Sequence, residues 1–196
     1  MQPQTILFIG PQGSGKGTQV RNLIARLKEI DPSDQVMDVE TGKLFRVLSE
    51  TDNATARRVK GLIENGKPVP DFVTNSFVMQ DFRERFSKET HITLDGFPRN
   101  VEQSVFLDQI LDFYGRKELS VVYLDTPEEV VRGRMVSRGR VDDTQEGITE
   151  RLRWSMEMMQ SMLEYYKKRP HTKFVIVDGA QSVTDVQKEI QKALNI

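Results

Sequence analysis

The feature that most constrains this chain is an apolar run, Thr5 to Ile9, that enters Gly10-Pro11-Gln12-Gly13-Ser14-Gly15-Lys16-Gly17-Thr18. It continues with Val20, Leu23, Ile24 and Leu27 at the spacing of one helix face. A strand that turns through glycines straight into a helix lets consecutive backbone N–H groups converge on an anion, with no side chains in the way. The helix N-terminus adds partial positive charge, and Lys16 is placed to reach the outer phosphates of a nucleotide. The strict pattern has Ser or Thr directly after the lysine; here Gly17 stands there and Thr18 follows. The strand–loop–helix context restores the phosphate reading. A ligand-free glycine turn would explain the bend but not the lysine. A dinucleotide fold could use Glu40 at the end of a second strand, but the G-x-G-x-x-G spacing is absent and Lys16 has no role in it.

Four further apolar runs read as strands buried on both faces: Gln35 to Val39, His91 to Leu94, Ser120 to Leu124 and Phe174 to Val177. Helical periodicity separates them, as at Leu107, Ile110 and Leu111. Strand alternating with helix predicts an α/β fold, a parallel sheet covered on both faces, with ligands at the carboxyl ends of the strands. Thr41 to Phe86 is helical and polar, broken at Gly66-Lys67-Pro68-Val69-Pro70, and too long for an ordinary crossover; it reads as a helical insertion. No repeat or linker divides the 196 residues, so a single domain is expected.

Lys and Arg number 28 against 29 Asp and Glu, so no global field draws the protein to nucleic acid or an anionic membrane. Anion chemistry must come from local positive charge. With no cysteine, disulfides, thiolate metal sites and thiol catalysis are excluded, and a cytoplasmic protein is the expectation. No apolar stretch approaches the roughly 18 residues of a membrane span. No long exposed apolar stripe argues for assembly, so a monomer is expected.

Arg134 and Arg138 lie four apart, with Arg132 and Arg140 nearby and Arg151 and Arg153 beyond. Like charges at that spacing repel on a helix, so the cluster suggests a polyanionic ligand. Asp95-Gly96-Phe97-Pro98-Arg99 follows the third strand: Arg99 can fork onto a phosphate. Asp95 stands where a magnesium-associated carboxylate would, although Asp125 and Asp178 also end strands. His91 and His171 read as structural. The inventory fits phosphoryl transfer between two phosphate-bearing partners, which needs alignment and charge neutralisation rather than a general base.

Gly-Ser-Gly-Lys-Gly-Thr-Gln at 13–19, Thr-Gly at 41–42 with Arg46, Asp-Gly-Phe-Pro-Arg at 95–99 with Gln103, and Arg-Val-Asp-Asp at 140–143 resemble the adenylate kinases in order and spacing. The resemblance covers nearly the whole chain. It implies a five-stranded parallel sheet of the P-loop type, with a mobile monophosphate-binding segment at 40–69 and a lid at 137–143, and transfer of a phosphoryl group from Mg-ATP to AMP. By it, Gly13, Ser14, Gly15, Lys16, Gly17 and Thr18 cradle ATP, Arg134 and Arg138 contact it, and the chain at Gln181 meets its adenine. Arg46, Arg99, Arg140 and Arg151 would hold the AMP phosphate and the transferring group, beside Gly96. Thr41, Lys67, Val69 and Gln103 would meet the AMP base, and Asp95 would hold Mg²⁺ through water.

Threonine at 41 and glutamine at 103 favour adenine, where the related UMP/CMP kinases usually have alanine and asparagine. Gln12 and Glu40 depart from the family's usual proline and serine. Only Gly139 separates Arg138 from Arg140, so the lid is very short, and weak closure over ATP with some ATP hydrolysis is expected. A UMP/CMP-type kinase and a nucleotide-binding regulator without efficient turnover remain the alternatives.

Overall fold

The computed structural model describes residues 2–139 and 143–196. Five parallel strands form one sheet in the order β2-β3-β1-β4-β5: β1 (Thr5–Ile9), β2 (Val36–Glu40), β3 (His91–Asp95), β4 (Leu119–Asp125) and β5 (Thr172–Asp178). Along β1 the side chains alternate between two cores. Leu7 and Ile9 pack with Val78, Phe82, Leu107, Leu111 and Tyr166 on one face. Ile6 and Phe8 pack with Val20, Leu23 and Leu27 of α1 (Lys16–Ile30) and Val186 and Ile190 of α8 (Val183–Leu194) on the other. The helical spacing read from Val20, Leu23 and Leu27 is therefore the buried face of α1.

One expectation needs correction. The fifth strand was expected to be buried on both faces, but β5 is a sheet edge, and Ile176 is 59% exposed while only Val177 is fully buried. A strand with one neighbour has less to cover it, and short apolar runs do not reveal their place in the sheet order.

The sequence between β2 and β3 forms α2 (Thr41–Ser49), α3 (Ala54–Glu64) and α4 (Asp71–Arg85). The predicted break falls between α3 and α4. There Gly66, with φ 66°, donates to the Ile63 carbonyl at 2.9 Å and Lys67 to Leu62 at 2.9 Å, the bond pair that closes a helix around a left-handed residue. Phe45, Val59, Val69 and Val73 give this insertion its own small core. Beyond β3 come α5 (Val101–Phe113), α6 (Glu128–Arg138) and α7 (Gln145–Lys168); α6 and α7 pack through Val131, Met135, Ile148 and Leu152. Glu40, Asp95 and Phe8 share one register line at the carboxyl edge. The onward connections of β1 and β3, which are neighbours, leave in opposite directions, and a crevice forms at that switch point. Among the described residues no helix is long and apolar enough to cross a membrane.

Candidate active site

The loop after β1 is held by local backbone bonds and by contact with α6. Ser14 N–H donates to the Pro11 carbonyl at 3.1 Å. Gly13 has φ 88°, and a Cβ there would lie 2.8 Å from the Val131 carbonyl oxygen and 2.9 Å from Met135 Cγ, so only glycine fits. Gly17 explains the departure from the strict loop pattern: a Cβ there would come within 3.3 Å of Asp95 Oδ2. A serine there would require the carboxylate at the end of β3 to shift by a few tenths of an ångström.

Lys16 folds back over its own loop, Nζ donating to the carbonyls of Gly10 at 2.7 Å and Pro11 at 2.9 Å. Burial pushes its pKa down to about 8; Asp95 opposes the shift, and the charges of Arg99 and Arg138 add to it. Arg99 Nε donates to the Gly96 carbonyl at 2.7 Å, and Thr41 Oγ1 donates to the same oxygen at 2.8 Å. The Arg99 guanidinium stands 5.8 Å from the centre of the Trp154 ring. Burial disfavours its protonated form, Asp95 opposes this, and Arg151 adds to it; a guanidinium nonetheless remains charged.

Arg138 grips Asp143 with two bonds, Nε to Oδ2 at 2.9 Å and Nη2 to Oδ1 at 2.8 Å. Arg151 Nη2 reaches the same Oδ1 at 2.8 Å. Arg134 Nη1 donates to the carbonyls of Ser14 at 3.2 Å and Gly179 at 2.8 Å, tying α6 to the phosphate loop and to the turn after β5. Arg46 Nη2 donates to Glu40 Oε1 at 2.7 Å.

These groups surround a cavity of about 640 Å³ whose lining carries eight cationic side chains among the described residues, against the carboxylates of Glu40 and Asp95. Such an imbalance, in a protein whose total charge is nearly zero, concentrates positive potential where an anion would sit. A second cavity of about 390 Å³ adjoins it through Phe45, Val69, Arg99 and Trp154 and reaches Gln103.

Of the residues singled out in the sequence, Gly13, Gly15, Lys16, Gly17, Thr18, Arg46, Lys67, Val69, Asp95, Gly96, Arg99, Arg134, Arg138 and Arg151 all line the larger cavity. Ser14 is buried beneath the loop, and Thr41 is buried under Gly96. The Gln181 side chain turns away to Glu189 at 3.0 Å. Arg140 lies outside the described residues.

Arg132 and Arg153 do not join the cluster: they pair with Glu128 and Glu150 on the helix surfaces. Asp125 and Asp178 are exposed and absent from the cavity lining; of the two strand-end carboxylates that line it, Glu40 and Asp95, Asp95 is the one beside the loop at Gly17. His91 is buried in the sheet, accepting from Gln4 N–H at 3.1 Å, and His171 pairs with Glu118 on the surface, so both are structural. Sequence reasoning missed Trp154, Asn100 and Asp71, and it held Asp143 only as the last residue of the 140–143 motif, without a role. Trp154, three residues after Arg151, shares its helix face, which is the one sequence signal that could have found it.

The parallel sheet, the glycine loop with its lysine and the cation-lined cleft define a P-loop nucleotide-binding protein. The family model described as "Adenylate kinase" matches residues 8–171, and this chain belongs to that family. It is similar to "Adenylate kinase 1" of Nostoc sp., 32% identical over 96% of this chain and 97% of the relative. It is equally similar to "Adenylate kinase" of Thermus thermophilus, 32% identical over 98% of each. The "Adenylate kinase" of Leuconostoc mesenteroides is 29% identical over 98% of this chain and 97% of the relative.

Proposed function

We propose that this protein transfers the γ-phosphoryl group of Mg-ATP to AMP, giving two ADP. The observation that carries the reading is the lining of one cleft, where Lys16 of the phosphate loop and the second arginine set, Arg46, Arg99 and Arg151, stand around the Asp95 carboxylate. A protein binding one nucleotide has no use for the second set. ATP lies along Gly13 to Thr18, with Lys16 following the transferring group, Arg134 and Arg138 flanking it, and the backbone near Gln181 at its base. Arg46, Arg99 and Arg151, with Arg140, take the AMP phosphate and the transition-state charge. Thr41, Lys67, Val69 and Gln103 meet the AMP base. The acceptor phosphate is already an anion, so no general base is required.

Among the described residues no group of three or more acidic, His or Cys side chains could hold a metal unaided. Asp95, a single carboxylate over the loop, suits an ion that keeps its waters and takes phosphate oxygens as ligands. When bound, Mg²⁺ neutralises charge on the phosphoryl oxygens. On this reading residues 40–69 close over AMP and 137–143 serve as a minimal lid, of which 140–142 lie outside the described residues. The same reading takes the protein as a monomer and places it in the cytoplasm.

The test is an ADP-coupled assay with ATP and Mg²⁺ comparing AMP, UMP, CMP, GMP and no acceptor, with Lys16→Ala as control. Fast turnover with AMP that Lys16→Ala loses is the expected result. Preference for UMP or CMP, or no acceptor-dependent rate at all, would overturn it.

A further inference from the structure

The second cavity holds a polar relay around Gln103 in which Asp71 and Asn100 have no role so far. Gln103 is 2% exposed, and both ends of its amide are engaged. Oε1 accepts from the backbone N–H of Arg99 at 2.8 Å, and Nε2 donates to Asp71 Oδ1 at 2.8 Å. A backbone N–H can only donate and a carboxylate only accepts, so these partners permit one amide orientation. Asp71 is itself fixed: Asn100 Nδ2 donates to Oδ2 at 2.9 Å and to Oδ1 at 3.2 Å. Asn100 in turn caps α5, its Oδ1 accepting from Gln103 N–H at 2.7 Å. Asp71, Asn100 and Gln103 all line the cavity.

We propose that Asp71 is a positioning residue that sets the acceptor base by locking the Gln103 amide. Resting on the AMP reading, the argument follows from the groups left over. The amide keeps one N–H and one oxygen lone pair. Presented side by side to a purine edge, they match adenine, whose N1 accepts and whose 6-amino group donates. A 6-oxopurine reverses both, with a donor at N1 and an acceptor at C6. Pairing with it requires the amide to turn over, which would set Nε2 against the Arg99 N–H and Oε1 against the Asp71 carboxylate. Buried polar groups left facing like partners are costly, so the lock discriminates by repulsion as well as by attraction.

The native protein provides the first test, with three acceptors of nearly one shape: AMP, purine riboside 5′-monophosphate, which has the N1 acceptor and nothing at C6, and inosine 5′-monophosphate. A locked amide predicts kcat/KM in the order AMP, purine riboside monophosphate, inosine monophosphate. An amide free to turn gives inosine monophosphate two bonds and places it above the purine riboside compound, which would overturn the lock, as would equal rates for all three.

Asp71→Asn provides the second test, because its amide can donate as well as accept and releases the constraint. The expected result is at least a tenfold fall in the AMP-to-inosine monophosphate ratio of kcat/KM, with the loss for AMP appearing in KM rather than kcat. A variant of unchanged melting temperature that loses AMP efficiency but keeps the ratio would show that Asp71 only supports the start of α4. Failure of the underlying reading looks different, since AMP itself would then give no turnover with native protein.

Discussion

Glu40 Oε1 and Arg46 Nη2 lie 2.7 Å apart in the lining of the cleft, so the arginine proposed for the AMP phosphate is already paired with a carboxylate. Phosphate must displace that partner. The Arg46 side chain is 49% exposed and that of Glu40 29%, which limits the pair to about 1 kcal/mol or less. Glu40→Ser is therefore expected to lower the KM for AMP about two- to fivefold and to leave the KM for ATP alone. Trp154, the single tryptophan, faces Arg99 and gives a direct fluorescence readout of AMP binding. An unchanged or raised AMP constant would remove Glu40 as a competitor.

Asp143, with a side chain 1% exposed, stands between Arg138 and Arg151. Removing one partner of a buried ion pair strands the other, at about 3 kcal/mol. For a chain of this size, Asp143→Ala is expected to lower the melting temperature by roughly 6–12 °C. Nucleotide phosphate would replace the missing charge, so the deficit should shrink when ATP and AMP are saturating. Thermal melts with and without nucleotides check this; an equal deficit in both would separate Asp143 from the phosphate site.

Lys16 titrates near pH 8 in the free protein. A bound phosphate is anionic and raises that pKa, so the complex keeps the proton to higher pH. Nucleotide binding at pH 8 should take up roughly half a proton through Lys16, and almost none at pH 6.5. Calorimetry at pH 8 in buffers of different ionisation enthalpy measures it, with Lys16→Met as the reference. Equal proton uptake by the two proteins at pH 8 would contradict the assignment.

The sequence reached the framework because its signals are local. Glycines in the loop, short apolar runs, period-3.6 spacings, and Gly66 ahead of two prolines all act within a few residues, and five strands with the helical insertion follow from them. Arg99 was legible because it follows a strand that ends at the ligand edge, and Arg134, Arg138 and Arg151 because like charges crowded together on helices point to an anion. The roles of Asp71 and of Asp143, the latter read only as part of a motif, were not legible. Their roles arise from bonds to Gln103, Arg138 and Arg151, and Asp71 lies 32 positions from Gln103, a proximity no periodicity encodes. The exposure of β5 was hidden for a related reason: sheet order is a property of the whole chain.

Helix α6 ends at Arg138 and α7 begins at Gln145, so little chain is available to cover ATP. Water should reach the phosphates, and slow ADP release from ATP without AMP is the expected consequence. It should vanish in Lys16→Ala. Absence of any AMP-independent ADP release in the native protein would mean that the cleft excludes water without a larger lid.

The central claim is that two nucleotides meet phosphate to phosphate in one cleft. Calorimetric titration with a bisubstrate compound, two adenosines joined 5′ to 5′ through five phosphates, tests it most directly. One molecule per chain, bound at least a hundredfold more tightly than ATP alone and weakened by Arg99→Ala, is the predicted result. Binding no tighter than ATP, or two molecules per chain, would contradict a shared transfer site.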